Sequence, residues 1–207
     1  MARFFTADWH LGETRLDIMQ RPFAGPNEMF SYMRDLHNVV VNKGDELIVV
    51  GDVVSKASKD ANFWLTQVSA FNGKKTLIRG NHDTLFTDEQ LSPYFDTIIN
   101  EGDGIDFDID CPKRGKLKSW ATHYPTQGVV NKFNLVGHIH SSWKVQLNML
   151  NVGVDVHHFA PVNENKIPFF LDAISSFYDQ DVWVGDYKAN SAYKGIRGKT
   201  GTYFNGK

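Results

Sequence analysis

The sequence predicts an α/β protein with layered sheets, on three observations. Five short apolar runs, "FFTADWH", "LIVVGDV", "TLIRGNHD", "SWATHYP" and "NLVGHIH", each end abruptly in Gly, Asp, Asn or His. The runs are continuous rather than alternating, as in strands covered on both faces. Helical periodicity lies between the first three, so the opening 80 residues read as strand, helix, strand, helix, strand, a βαβαβ unit.

Taken in order, the first run leads into "PNEMFSYMRDLHNVVVNKGD", where Met29, Tyr32, Met33, Leu36, Val39 and Val40 share one helical face. Asn27 is the expected N-cap and Gly44 the stop, with His37 facing solvent or lying near the cap. A second helix is expected from about Lys59 to Phe71, with Phe63, Trp64, Val68 and Phe71 inward. Further on, "GIDFDID" alternates Ile105, Phe107 and Ile109 with Asp106, Asp108 and Asp110, the pattern of a half-exposed strand. The basic cluster "CPKRGKLK" reads as a solvated hairpin tip. A late helix from about Pro168 to Tyr178 would bury Phe170, Ile174 and Phe177. Residues 1–184 form a single expected domain, and 185–207 a loop-rich tail whose Lys, Arg and Tyr residues give only a weak nucleic-acid signal.

At 207 residues the chain suits one core, and its apolar fraction of 42% with 13% aromatic residues is that of a folded protein. A net charge of −2 gives no global attraction to nucleic acid or an anionic membrane, so any phosphate recognition must be local. The single cysteine, Cys111, excludes an intramolecular disulfide and a cysteine-based metal cluster, and it fits a reducing compartment. No signal-peptide pattern precedes Asp8, and no run is long enough to span a bilayer. The expected location is the cytoplasm.

Five of the eight histidines, His10, His82, His123, His138 and His140, sit at the ends of the apolar runs. In open α/β sheets the loops leaving the carboxyl ends of the strands converge, and ligands bind there. Asp8, His10, Asp52, Asn81, His123, His138 and His140 would therefore meet in one cleft. Oxygen and imidazole donors without thiolate suit Mn, Fe, Zn, Co or Ni rather than copper(I) or an iron–sulfur cluster. Seven donors are too many for one ion that also takes substrate, and two ions sharing a carboxylate account for the number. Ions roughly 3.5–4 Å apart can clamp a phosphoryl group and generate hydroxide near neutral pH.

These motifs resemble the calcineurin-like metallophosphoesterases. "DWH" is similar to the family's Asp-x-His, "GDVV" to its Gly-Asp and "GNHD" to its Gly-Asn-His-Asp. The His of "THYP" stands where the family has an isolated ligand, and "GHIH" matches Gly-His-x-His, all in family order across residues 8–140. The segment "LNVGVDVHHFAPV" resembles one found in a small bacterial and phage subgroup. The resemblance implies a four-layer α/β/β/α sandwich of two mixed sheets flanked by helices. It implies two divalent ions, manganese first among the candidates. Asp8, His10 and His140 would hold one ion, Asn81, His123 and His138 the other, and Asp52 would bridge. His82 would face the leaving oxygen, as an imidazolium that donates a proton or neutralises charge, and Asp83 would orient its ring. Arg79 fits either a phosphate contact or a surface ion pair.

Each of these residues has a structural reading when taken alone: Asp8 or Asp52 as a cap, Asn81 as a turn residue, "GHIH" as a turn. Those readings fail jointly, because independent accidents would all have to fall at strand ends. The implied activity is phosphoester hydrolysis by in-line attack of a metal-bridging hydroxide, with nucleotide-type phosphodiesters the expected substrates. The alternatives are a phosphomonoesterase with the same centre, a nuclease, or a non-catalytic scaffold that keeps the fold. Ser55, Lys56 and Ala57 stand where serine/threonine protein phosphatases have Asp, Arg and Gly, which argues against that branch. His157 and His158 are expected at most at the edge of the cleft.

Overall fold

The computed structural model describes residues 1–177. Two mixed five-stranded sheets pack face to face. The first is built from β1 (Arg3–Thr6), β2 (Glu46–Val49), β3 (Lys74–Ile78), β4 (Thr97–Ile99) and β10 (Val162–Asn163), in the order β10-β1-β2-β3-β4. β1 to β4 run parallel, and β10 joins β1 antiparallel. The second contains β5 (Gly104–Cys111), β6 (Gly115–Thr122), β7 (Phe133–Val136), β8 (Val145–Gln146) and β9 (Met149–Asn151), in the order β5-β6-β7-β9-β8.

Alternation along the first sheet sorts its side chains into two cores. Phe4, Leu47, Val49 and Leu77 face a helical layer, while Phe5, Ile48, Val50 and Ile78 face the second sheet. The helical layer comprises α1 (Pro26–Val40), α2 (Ala61–Thr66) with the 3-10 turn Gln67–Ala70, and α3 (Asp88–Leu91). It contributes Met29, Phe30, Met33, Trp64, Leu65, Val68 and Leu91 to the first core. Ile109, Ala121, Phe133, Leu135 and Leu150 meet the first sheet from the second, joined by Ile167 and Leu171 of α4 (Ile167–Phe177). The far face of the second sheet is polar at β5–β6, where Lys118 pairs with Asp108 at 2.9 Å. Nearer β7 it is covered by the loop that Asn134 ties down through Val129 and Lys132.

Several elements differ from expectation for identifiable reasons. α1 starts at Pro26 with Gly25 as N-cap, not Asn27, because Pro is favoured in the first turn where no N–H partner is needed. It ends at Val40, and its buried face runs through Met29, Phe30, Met33 and His37, leaving Tyr32 and Val39 exposed. His37 is 2% exposed and hydrogen-bonds Asn72 O at 2.9 Å, which corrects its expected solvent position. The second helix is shorter than expected, and Phe63 is exposed while Leu65 takes its place inside. "CPKRGKLK" is the β5–β6 hairpin tip as expected. The side chains of Ile174 and Phe177, and the tail from residue 185, lie outside the described residues.

Candidate metal centre

All five crossover connections of the parallel strands, those leaving β1, β2, β3, β6 and β7, begin with motif residues and bring them to one edge. The loop after β1 runs beside the loop after β2, with Asp8 N donating to Gly51 O at 3.0 Å and His10 N to Asp52 O at 3.0 Å. That side-by-side path places "DWH" against "GD". The two sheets join at the same edge through a parallel bridge between Ala7 and Gly153.

The backbone there is strained. Asp8, His10, Asp52, His138 and His140 all have positive φ, and they make up five of the ten such non-glycine residues among those described. L-residues pay for this conformation, and it persists where surrounding structure holds it for function. Two glycines make room for the cluster: a Cβ on Gly51, whose φ is +86°, would lie 2.3 Å from His123 Nδ1, and one on Gly80 would lie 2.4 Å from Asp52 Oδ1.

Six of the seven expected ligands fall into two groups of potential donor atoms lying within 4.8 Å of one another: Asp8, His10 and His140, and Asp52, His123 and His138. Asn81 joins the second group, with its Oδ1 3.1 Å from His138 Nδ1. Asp52 stands between the groups, its Oδ2 3.5 Å from both His10 Nε2 and His123 Nε2. Its other oxygen accepts the His82 N–H at 2.8 Å. The Asp8 carboxylate accepts the His138 N–H at 2.9 and 3.0 Å. A third group links His10 and Asp52 to His82.

The residues fit divalent cations by their chemistry. Both ring nitrogens of His10, and Nε2 of His123, are buried without a hydrogen-bond partner. A buried orphan nitrogen costs desolvation free energy that a cation would recover. Burial drives the His10 imidazolium far below its ordinary range, so the ring is neutral with a lone pair to give. Burial likewise pushes Asp8 up to about 6, the signature of a carboxylate in need of a positive neighbour. For His123, burial is outweighed by the Asp52 and Asp8 carboxylates, which lift it to about 9. Its Nδ1 donates to Val50 O at 2.8 Å, so the proton that the carboxylates hold on the ring is the one on Nε2, toward Asp52, and that is the proton a cation would replace.

The structure corrects the expected partner of His82. Asp83 is fully buried and spends its carboxylate on three backbone N–H groups, those of Asp52, Val53 and Gly80 at 2.8, 2.9 and 2.8 Å. Burial and the adjacent Asp52 raise its pKa to about 6 against the pull of those donors. Asp83 therefore ties the "GNHD" loop to the "GD" loop, while the His82 ring is held by the Lys56 N–H, which donates to Nδ1 at 2.9 Å. A nitrogen that accepts this bond carries no proton, so the ring is a neutral imidazole rather than an imidazolium. Arg79 also turns inward, donating to Asp83 O at 3.0 Å and Phe86 O at 2.8 Å and pairing with Asp88. His157 hydrogen-bonds Asn151 O at 2.7 Å.

Two residues of the site escape sequence reasoning. Asp155 binds His140 Nδ1 at 2.9 Å, and Arg21 forms a bidentate pair with Asp155 at 2.8 and 2.9 Å. Asp155 lies inside "LNVGVDVHHFAPV", whose resemblance to a subgroup segment assigns no role to the carboxylate, and nothing marks Arg21.

Comparison with known proteins places this geometry. The sequence model of the family described as Calcineurin-like phosphoesterase matches residues 2–199. The chain is 32% identical over 80 residues to the Gene 66 protein of Mycobacterium phage L5 and 35% identical over 83 residues to that of Mycobacterium phage D29. Each alignment covers 39% of this chain and 39% of the relative, well under half of its length. Among solved structures, a protein of unknown function from Aquifex aeolicus, AQ665, superposes with a TM-score of 0.59 at 20% identity. That match covers 82% of this chain and 98% of the other, a likeness of fold. No described helix is long and apolar enough to cross a membrane.

Proposed function

The chain belongs to the calcineurin-like phosphoesterase family, and from that premise we propose that it is a metal-dependent hydrolase of phosphodiesters of nucleotide type. The observation that carries the reading is the position of Asp52, whose Oδ2 stands 3.5 Å from one imidazole nitrogen of each donor group. On this reading Asp8, His10 and His140 hold one divalent ion, Asn81, His123 and His138 hold the other, and Asp52 serves both. Manganese suits the oxygen and imidazole set. When bound, a pair of such ions supplies Lewis acidity for the phosphoryl oxygens and lowers the pKa of water into the neutral range.

The chain's own side chains supply the rest. Asp83 keeps the Asn81–His82 turn against Asp52 through its three backbone bonds, so the distance between the two donor groups is held by covalent and hydrogen-bonded structure. His82, held at Nδ1, has its single proton on Nε2, suited to bond an oxygen that gains charge as the ester breaks. Among the described residues the strands that carry the motifs are joined by helices, turns and the β5–β6 hairpin, with no inserted capping domain. An uncapped site accommodates a phosphate with substituents on two sides, which favours diesters.

The test is hydrolysis of an aryl phosphodiester against the matching monoester, with and without Mn²⁺, by wild type and Asp52→Asn. Mn²⁺-stimulated diester cleavage that is nearly lost in Asp52→Asn is the expected result. Preference for the monoester would make the protein a phosphatase. Two bound Mn²⁺ ions without turnover of either ester would make it a scaffold.

A further inference from the structure

Two donor groups so similar in composition are supported very differently from behind. His123 rests on a neutral backbone carbonyl, Val50 O, at 2.8 Å. His140 rests on a carboxylate, Asp155, at 2.9 Å, and that carboxylate is itself gripped by a buried guanidinium. We propose that Asp155, locked by Arg21, is the positioning carboxylate of His140, and that this pair governs one of the two ion sites while leaving the other untouched. The inference rests on the metal-centre reading above.

Arg21 has no exposed side-chain surface, and its five N–H donors are all engaged. Nε and one Nη2 hydrogen meet the two Asp155 oxygens at 2.8 and 2.9 Å. Nη2 also donates to Asp8 O at 2.6 Å, and Nη1 donates to Trp9 O at 2.8 Å and contacts Met29 Sδ at 3.4 Å. With no donor left over, Arg21 has nothing to offer a phosphate. Its bonds instead fasten the strained "DWH" turn, which carries Asp8 and His10, to the carboxylate that faces His140. Every side chain of one proposed ion site therefore answers to one guanidinium.

The segment that carries Asp155 holds the His140 backbone too. Asn151 Nδ2 donates to His140 O at 2.7 Å and to Trp143 O at 2.8 Å, and Asn151 Oδ1 accepts Gly153 N–H at 2.8 Å. Val154 N donates to Ala7 O at 3.1 Å, which seats the segment against the end of β1. Residues 151–155 of "NVGVDV" thus fix both the main chain and the ring of His140 relative to Asp8.

The charge on Asp155 sets the tautomer. A carboxylate with no proton accepts only, so His140 Nδ1 carries the hydrogen and Nε2 keeps the lone pair that a cation needs. Asp155 Oδ1 accepts from Arg21 Nε, and Oδ2 accepts from Arg21 Nη2 and faces His140 Nδ1, so in Asp155→Asn the amide NH2 meets an Arg21 N–H in either orientation. At the Oδ1 position it breaks the grip that positions the group behind His140; at the Oδ2 position it also faces the imidazole, moves the ring proton to Nε2 and removes the ligand without moving the ring.

Calorimetric Mn²⁺ titration of the metal-stripped protein tests this, with Asp155→Asn, His140→Ala and the double variant beside wild type. We expect two Mn²⁺ ions in wild type. In Asp155→Asn one affinity should fall about 10- to 100-fold while the other stays within about threefold, and the double variant should be no worse than His140→Ala. Arg21→Lys, which keeps the charge and loses the fork, should weaken the same ion, so it serves if Asp155→Asn does not fold. Equal weakening of both ions, no weakening, or further loss on adding Asp155→Asn to His140→Ala would overturn the inference alone. Fewer than two ions in wild type would overturn the metal-centre reading and this with it.

Discussion

His82 Nδ1 accepts the backbone N–H of Lys56 at 2.9 Å, and this contact decides the chemistry open to the ring. An imidazolium would set N–H against N–H there, and burial lowers the His82 pKa as well. On the proposed function, the neutral ring would stabilise charge by a hydrogen bond from Nε2 and would not deliver a proton. His82→Ala should lower kcat on the order of 10²-fold, the scale of one lost donor to a developing oxyanion. The ratio of wild-type to His82→Ala kcat should stay constant between pH 6.5 and 9. A ratio that falls tenfold per unit as pH rises would restore the imidazolium acid.

Arg79 stands two residues before Asn81, where a cation invites assignment to phosphate. Its bonds to Asp83 O and Phe86 O instead hold the two ends of the 3-10 turn Asp83–Leu85. Removing the guanidinium strands Phe86 O, at a cost of roughly 1–3 kcal/mol when buried, and leaves Asp83 O with the Phe86 N–H alone. Arg79→Met should therefore unfold at markedly lower denaturant concentration, with KM little changed in the fraction that remains folded. A raised KM at unchanged stability would return Arg79 to the substrate.

What the sequence made legible follows from where strong local signals exist. Strand ends carry the candidate ligands because parallel strands expose them together at one edge, so Asp8, His10, Asp52, Asn81, His123, His138 and His140 are legible as one set in the sequence. The supports behind them are not. Asp83 sits beside His82 in sequence, yet its acceptor sites are filled by amides from the Asp52 loop, about thirty residues away. Arg21 and Asp155 are 134 residues apart; Arg21 carries no motif signal and the segment around Asp155 gives its carboxylate no role, so only the joining of the two sheets pairs them. In α1 the apolar stripe is present but its phase differs from the expected one, because Trp9 and Phe71 pack edge-on against His37 and make room for an imidazole on the buried face.

The buried His37 yields a pH dependence that is separate from the metal centre. Burial lowers its pKa to about 4 from 6.5, outweighing the bond to Asn72 O that favours the charged form. The folded pKa is depressed, so its contribution to stability is fully present above pH 6.5. As pH falls below that value the unfolded chain takes up a proton that the folded ring refuses, and stability is lost down to the folded pKa near 4. A displacement of this size corresponds to about 3 kcal/mol. Urea unfolding of metal-stripped wild type and His37→Gln at pH 7, 5.5 and 4 isolates the effect, since every other titrating group is shared. Wild type should lose about 3 kcal/mol more than His37→Gln between pH 7 and 4. Parallel losses in the two proteins would mean that the ring takes its proton in the folded state as readily as in the unfolded chain.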